Sequence, residues 1–81
     1  MRIPRDLDYD TLVKLLSSYG YGITRQTGSH VRLTRSATAE TQEHHITIPA
    51  HRPLRIGTLS RIINDVAYHL GIKRDELLSK L

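Results

Sequence analysis

Two segments of alternating polar and apolar residues, joined by Gly28-Ser29, most constrain the fold of this chain. The first segment covers about 21–26 and the second about 30–35. Adjacent segments with a period of two residues, joined through a glycine, predict an antiparallel β-hairpin. His30 then occupies the first position of the second strand, directly after the turn.

The length of the hairpin loop decides which side chains share a face of the sheet. A two-residue loop pairs Thr27 with His30 and places the apolar residues of the two strands on opposite faces. A three-residue loop pairs Gln26 with His30 and gives both strands one apolar face. We therefore expect the three-residue loop, with Gly28 or Ser29 at a positive φ. The polar face would carry Gly22, Thr24, Gln26, His30, Arg32 and Thr34.

Apolar residues at helical spacing predict one helix before the hairpin and one after it. The first is capped by Asp8 or Asp10 and stops at Gly20 in a left-handed conformation. The second begins at Thr58 and stops at Gly71. The expected core consists of Leu12, Val13, Leu16, Tyr19, Ile23, Val31, Leu33, Ile46, Ile48, Leu59, Ile62, Ile63, Val66 and Leu70.

A third strand at about 43–49 and a tail helix at 73–80 complete the predicted elements. The order α-β-β-β-α predicts an α+β domain, with both helices on one face of a three-stranded antiparallel sheet. The other face of the sheet would then be open to a ligand. With 81 residues, the chain is expected to form a single domain, 1–81, with 72–81 as a C-terminal tail.

The composition excludes several classes of site. The chain contains no cysteine, so disulfides, zinc–thiolate sites and thiol nucleophiles are excluded. No apolar run is long enough for a signal peptide or a membrane span. We therefore expect a cytoplasmic protein.

Positive charge is concentrated in one half of the chain. The net charge is +4, and residues 25–61 hold six arginines against two glutamates. The remaining residues are neutral overall. The planar guanidinium group suits phosphate, and a basic region beside a neutral one is typical of nucleic-acid-binding surfaces. A generally solvated surface is the alternative interpretation.

The expected open face combines histidine with cations and hydroxyl groups. It would carry His30, Arg32, His45, Thr24 and Thr47. Cleavage of RNA requires a base for the 2′-hydroxyl, cations for the charge that develops on phosphate, and an acid for the leaving 5′-oxygen. Histidine exchanges protons near neutral pH, so this face has the groups for such chemistry without a metal ion. A surface histidine in a basic strand is the alternative.

The other histidines are not expected to form a site. His44, His45 and His51 make a poor metal site, because adjacent strand residues point to opposite faces and no carboxylate or cysteine completes the set. His69 lies near the end of the second helix, where the helix dipole favours a cation, and we interpret it as structural.

Three sequence blocks stand in a specific order and spacing. They are Arg25-Gln-Thr-Gly-Ser-His30, then Ile46-Thr-Ile-Pro-Ala-His51, then Leu54-Arg-Ile-Gly-Thr-Leu59 with Ile62-Ile63. In these blocks the chain resembles the HicA toxins of bacterial toxin–antitoxin pairs, from about Leu7 to Gly71. It departs from many members at Val31-Arg32, where they carry a second histidine or an aromatic residue, and its tail after Gly71 is longer than in the shortest members.

The resemblance implies a fold like that of double-stranded-RNA-binding domains and a metal-independent mRNA interferase activity that needs no cofactor. By similarity, His30 takes the place of the catalytic histidine, and Gly28 and Ser29 shape its turn. A HicB-type antitoxin would neutralise the toxin by covering this face, as a hetero-oligomer.

The leading hypothesis is therefore an endoribonuclease toxin that cleaves mRNA. His30 would be the general base, Arg32 the nearest phosphate clamp and His45 a second acid–base residue. The expected substrate-binding residues are Gly28, Ser29, Arg25, Arg32, Arg52 and Arg55. Two alternatives stay open: a non-catalytic RNA-binding domain of the same fold, and a protein-interaction module whose basic face docks an acidic partner.

Overall fold

The computed structural model describes residues 2–50 and 53–81, and these have the predicted order of elements. Along the chain they are α1 (Tyr9–Ser17), β1 (Tyr21–Gln26), β2 (His30–Arg35), β3 (His44–Pro49), α2 (Ile56–Leu70) and α3 (Arg74–Leu78). The strands form an antiparallel sheet in the order β1-β2-β3. The predicted α+β fold class is confirmed.

The hairpin turn is shorter than the apolar pattern predicted. Gln26 lies opposite Val31, and the backbone N–H of Thr27 donates to the carbonyl of His30 at 2.9 Å. These pairs leave the two-residue loop Gly28-Ser29, and neither loop residue has a positive φ. The predicted pairing of Gln26 with His30 and the predicted positive φ are therefore wrong.

A β-bulge at Thr24 provides the common apolar face that the longer loop was expected to provide. The pairing register shifts between Ile23 and Arg25, which makes Thr24 the extra residue of β1. Beyond the bulge, Ile23 lies opposite Leu33, as the three-residue loop required. A bulge places two residues of one strand against one of its partner and thereby moves the register by one. The short turn and the shared face therefore coexist in one hairpin.

The helices cover one face of the sheet with a hydrophobic cluster to which all three contribute. Its buried members are Leu12, Leu15, Leu16, Tyr21, Val31, Leu33, Ile46, Ile48, Leu54, Leu59, Ile62, Ile63, Val66, Ala67, Leu77 and Leu78. Three residues expected in the core, Val13, Tyr19 and Leu70, pack against this cluster and are partly buried. The cluster includes Leu77 and Leu78 of α3, so the tail helix contributes to the core.

Ile23 is a wrong core prediction. Its side chain is 53% exposed, although its neighbour across the strands, Leu33, is fully buried. Strand β1 lies at the edge of the sheet, and Tyr21 at its start is its one buried residue. Residues beyond that point extend past the helices, so the alternation of apolar residues identifies their face correctly but not their burial.

The first helix ends earlier than predicted. Asp8 occupies the N-cap position, as one of the two expected caps, and the helix ends at Ser17 rather than at Gly20. A turn follows, in which Gly20 has a φ of +95°. The positive φ expected of this glycine is thus present in the turn that leads into β1.

The second helix begins two residues earlier than predicted and ends where predicted. Its first residue is Ile56 with Arg55 as N-cap, so Thr58 lies within the first turn and is not the cap. Gly71 ends the helix in the left-handed conformation, with φ 68° and ψ 32°. Among the described helices, none has the length and apolar character required to cross a membrane.

A polar cluster seals the core at the start of β3. The hydroxyl of Tyr21 donates to Nδ1 of His44 at 2.6 Å, and Nε2 of His44 donates to Asp65 at 3.3 Å. The His44 ring stacks on His69 with centroids 4.2 Å apart. Burial raises the pKa of Tyr21 to about 12, and burial together with the neighbouring His44 and Arg35 lowers the pKa of His69. These contacts support the structural role predicted for His69, but the lowered pKa disfavours the cation that the helix-dipole argument expected there.

The cross-strand pair of Leu33 and Ile23 gives a matched test of the core boundary. Leu33→Ala is expected to lower the free energy of unfolding by about 2–5 kcal/mol, since it leaves a cavity in a fully buried site. Ile23→Ala, one strand away, is expected to cost about 1 kcal/mol at most, because its side chain is already half in water. Chemical denaturation of both variants measures the difference, and equal losses would contradict the edge position of Ile23.

Candidate functional site

The uncovered face of the sheet is polar and carries most of the side chains that the alternation predicted. Gln26 is a wrong prediction, because it lies opposite the buried Val31 and therefore on the helix-covered face. Val31, Leu33, Ile46 and Ile48 are buried against the helices, so the residues between them point the other way. On the open face, Arg32 lies opposite Thr47, and Thr34 lies opposite His45. Thr24 of β1 lies beside Thr34 of β2, and their hydroxyl oxygens are 2.8 Å apart.

The bulge brings two arginines together on this open face. Arg25 lies directly opposite Arg32, and both are exposed. Without the register shift at Thr24, the alternation would have assigned Arg25 to the helix-covered face. Like charges on directly opposed strand positions repel each other. A bound anion relieves this repulsion, so the arginine pair favours a phosphate at this position.

His30 is held at the corner where the turn meets the sheet. Its Nδ1 lies 2.9 Å from the hydroxyl oxygen of Ser29, its neighbour in the turn. Among the described residues, its Nε2 makes no hydrogen bond, and the residue is exposed. When Nδ1–H donates to Ser29, Nε2 keeps a free lone pair. That tautomer is the one a general base requires.

A groove of 320 Å³ lies where the edge of β3 meets α2. It is lined by His30, His45, Ile46, Thr47, Pro49, Arg61, Ile62 and Asp65. Two histidines, one cation and one carboxylate therefore share a single concave surface. Neither Arg61 nor Asp65 was expected in the site from the sequence. Their spacing of four residues on a predicted helix, beside the inward-facing Ile62, was the signal that could have found them.

His45 belongs to a hydrogen-bonded chain that crosses the open face. The hydroxyl of Thr34 lies 2.8 Å from Nδ1 of His45, and Glu43 lies 2.8 Å from its Nε2. A carboxylate accepts, so Nε2–H donates to Glu43 and Nδ1 accepts from Thr34. Thr24 in turn reaches Thr34 from β1. Both nitrogens of His45 are thus engaged, whereas His30 has one nitrogen without a hydrogen bond to any described residue.

Two of the remaining predicted site residues, Arg55 and Gly28, belong to the part of the chain that the structure describes. Arg55 is exposed and forms the N-cap of α2. Arg52 and His51 lie outside the described residues. Gly28 has an ordinary backbone conformation, and a Cβ there would meet no protein atom within 4 Å. The space beside Gly28 is therefore open to the close approach of a ligand.

His44 and His45, neighbours on β3, point to opposite faces of the sheet, as the alternation predicted. His44 faces the helices and His45 faces the open side, so the two rings do not converge. Within residues 2–50 and 53–81, no group of three or more histidine, cysteine or acidic side chains could hold a metal ion.

The ring of His45 should show its hydrogen-bonding pattern directly by heteronuclear NMR. In the neutral form, the proton is expected on Nε2, because Glu43 can only accept from it. Thr34→Val, which keeps the shape of the side chain, is expected to remove the donor to Nδ1 and shift its resonance. The resonances of His69, on the other side of the sheet, serve as the internal control. A wild-type His45 protonated on Nδ1 would contradict the chain from Thr24 to Glu43.

Comparison with known proteins assigns the family. The family model described as HicA toxin of bacterial toxin–antitoxin matches residues 9–67, which include β1, β2, β3 and most of both long helices. Comparison with curated protein sequences and with solved structures gave no match, so the likeness to double-stranded-RNA-binding domains stays a prediction. The matched segment contains His30, its turn and the groove, and covers well over half of the chain. This chain therefore belongs to the HicA toxin family of bacterial toxin–antitoxin systems.

Proposed function

We propose that this toxin is an endoribonuclease that cleaves mRNA without a metal ion, with His30 as the general base. The observation that carries the proposal is the environment of His30. Its Nδ1 contacts Ser29, its Nε2 has no hydrogen bond within residues 2–50 and 53–81, and the residue lines a groove that also holds Arg61. A histidine with one nitrogen fixed and the other facing a cationic concavity suits proton transfer beside a phosphate.

The proposed reaction forms one P–O bond and breaks another, with one proton removed from the 2′-oxygen and one added to the 5′-oxygen. Nε2 of His30 takes the proton of the ribose 2′-hydroxyl, and the 2′-oxygen attacks the adjacent phosphorus. The bond to the 5′-oxygen breaks, which leaves a 2′,3′-cyclic phosphate and a 5′-hydroxyl that has received a proton. Arg32 and Arg25, opposite each other on the open face, stabilise the charge that develops on the phosphate oxygens.

His45 is the proposed second acid–base residue. It lines the same groove as His30, which supports a role at the other end of the reaction. Because both of its nitrogens are engaged, it can protonate the leaving oxygen only when the contact to Glu43 opens. Substrate that displaces Glu43 would therefore turn a fixed side chain into a proton donor.

Substrate binding is proposed to be electrostatic. Arg25 and Arg32 lie on the open face, Arg55 lies at the start of α2, and Arg52 completes the set expected from the sequence. Ser29 and Gly28 form the turn against which the RNA backbone would lie. Affinity for RNA is then expected to fall steeply with salt and to depend little on sequence.

Family membership implies an antitoxin partner, which we propose to be a HicB-type protein that covers the open face. An acidic partner surface would complement Arg25, Arg32 and Arg55 and would prevent entry of RNA. The hetero-oligomer would form in the cytoplasm, where the mRNA substrate is located.

Replacement of His30 separates catalysis from binding. His30→Ala is expected to lower the rate of RNA cleavage by about 10²–10⁴-fold, because a positioned general base contributes that much. Affinity for RNA should change little, since a neutral imidazole adds little to phosphate attraction. Ser29→Ala should give a smaller loss of rate, since it leaves the base present but less well oriented.

The controls for this experiment address the mechanism. Cleavage should continue in EDTA, and an oligonucleotide with deoxyribose at the scissile position should resist it. Lys14→Ala, an exposed cation on α1, should cleave like wild type. If purified wild-type protein binds RNA but leaves it intact at every pH, the non-catalytic RNA-binding alternative replaces the enzyme.

Growth of bacteria that express the chain tests the toxin and its partner together. Wild type alone is expected to arrest growth, whereas His30→Ala alone, or wild type with its HicB-type partner, should not. Soluble yield of each protein, measured on the same cultures, controls for failure to fold. Normal growth with well-expressed wild type would exclude the proposed activity of this copy.

A further inference from the structure

Three arginines from opposite ends of the chain meet in one cavity. Arg2, Ile3, Arg5, Ile56, Arg74 and Asp75 line a cavity of 660 Å³. All three arginines lie outside residues 25–61, in the part of the sequence whose positive and negative charges cancel. The cancellation along the chain therefore conceals a basic cluster in space, which we call the arginine cavity.

The charge of the arginine cavity favours an anion. Three guanidinium groups face one carboxylate, Asp75, so positive charge is in excess. Arg2 and Arg5 are exposed, and Arg74 has a long contact of 3.4 Å to the hydroxyl of Ser60. Guanidinium groups bind phosphate oxygens through paired hydrogen bonds. The clustering of like charges is relieved when a phosphate binds between them.

The cavity also offers apolar surface and the volume of a small-molecule site. Ile56, which is 41% exposed, and Ile3 contribute to its lining. A volume of 660 Å³ lies within the usual range of about 300–1,000 Å³ for ligand pockets. Cations beside apolar side chains suit a nucleotide unit, whose phosphate is charged and whose base is flat and largely apolar.

The arginine cavity lies at the end of the molecule that carries His30. Helix α2 runs antiparallel to β3, because Asp65 and His69 in its later turns contact His44 at the start of that strand. Its first residue, Ile56, therefore lies near the end of β3, and the last residue of β3, Pro49, pairs with His30.

Backbone hydrogen bonds connect the same region. The N–H of Ala50 donates to the carbonyl of Ser29 at 2.9 Å, which ties the end of β3 to the turn before His30. The N–H of Leu54 donates to the carbonyl of Leu7 at 2.8 Å, which ties the N-terminal segment to the entry of α2. The arginines of that segment are thus anchored on the side of the sheet where the turn lies.

We propose that the arginine cavity binds a backbone phosphate of the same RNA strand whose scissile phosphate lies at His30. The inference rests on the proposed function and adds to it a second RNA contact away from the reacting bond. It predicts that the protein binds a long strand more tightly than a short one. It also assigns to Arg2, Arg5 and Arg74 a role in affinity rather than in chemistry.

Binding of RNA of two lengths to the His30→Ala chain tests this proposal without cleavage. The two strands have about 4 and about 12 nucleotides, within the range of single-strand-binding sites. Arg5→Glu is expected to weaken binding of the long strand about tenfold and to leave the short strand nearly unchanged. Arg2→Glu should behave in the same way. Lys14→Glu, an equal charge reversal on α1, is the matched control and should affect neither length specifically.

The salt dependence gives a second measurement on the same proteins. Loss of one phosphate contact to single-stranded RNA should lower the slope of log affinity against log salt by about 0.7. This decrease is expected for Arg5→Glu with the long strand and not with the short one. Circular dichroism of each variant confirms that the exposed substitution leaves the fold intact.

The outcomes separate this inference from the proposed function. If Arg5→Glu and Lys14→Glu weaken long RNA equally, the cavity is not a site and net charge alone explains the effect. If Arg5→Glu leaves RNA binding unchanged and weakens only the complex with the antitoxin, the cavity belongs to the protein partner and the proposal is wrong. If the length effect is present but wild type does not cleave, the cavity stands and the catalytic proposal fails. If RNA of neither length binds, both fail.

Discussion

The two-sidedness of the sheet is the constraint on which the rest of this structure depends. Side chains alternate across a β-strand, so the strands that bury Val31, Leu33, Ile46 and Ile48 under the helices must present their other residues to water. In the part of the chain that the structure describes, the helices cover one face and no element covers the other. The polar face is therefore a direct consequence of building the core, and its residues were free to be selected for chemistry.

The bulge at Thr24 shows how a small departure from regular structure arranges function. A regular hairpin with this turn would have placed the apolar residues of β1 and β2 on opposite faces. The extra residue corrects the face of Ile23 and, in the same step, leaves Arg25 opposite Arg32. Two arginines held close together repel each other in the free protein, and a bound phosphate offsets this repulsion. The bulge at Thr24 therefore sets the face of the apolar residues of β1 and also brings two positive charges together on the open face.

Much of the fold was predictable because it follows from local patterns. Alternation gave β1 and β2 their exact bounds and placed Thr24, Arg32, Thr34 and His45 on the open face. The predicted loop length was wrong because it was chosen to place the apolar residues of both strands on one face, without allowing for a bulge in β1. The predicted burial of Ile23 was wrong because alternation identifies the face on which a side chain lies but not how far the helices extend over that face. Leu77 and Leu78 were missed because their partners in the core are distant in sequence.

The site was predictable to the same degree and for the same reason. Residues on adjacent strands, such as His30, Arg32 and His45, could be grouped from alternation and the family resemblance. Arg61 and the arginine cavity depend on how α2 and the N-terminal segment pack, which no local pattern specifies. Charge counted along the chain identified Arg25 and Arg32, which lie on the open face, but not the arginines that meet only in space.

The four histidines that the structure describes are distinguished by their hydrogen bonds. His44 and His69 stack on each other under the edge of the sheet, where Tyr21 and Asp65 hold the first ring and burial lowers the pKa of the second. His45 is bound at both nitrogens by Thr34 and Glu43. His30 alone among these four combines exposure, a contact from Nδ1 to Ser29 and an Nε2 with no hydrogen bond to the described residues. A general base must be oriented and still have a lone pair to offer, and the proposed role of His30 rests on that pair of requirements.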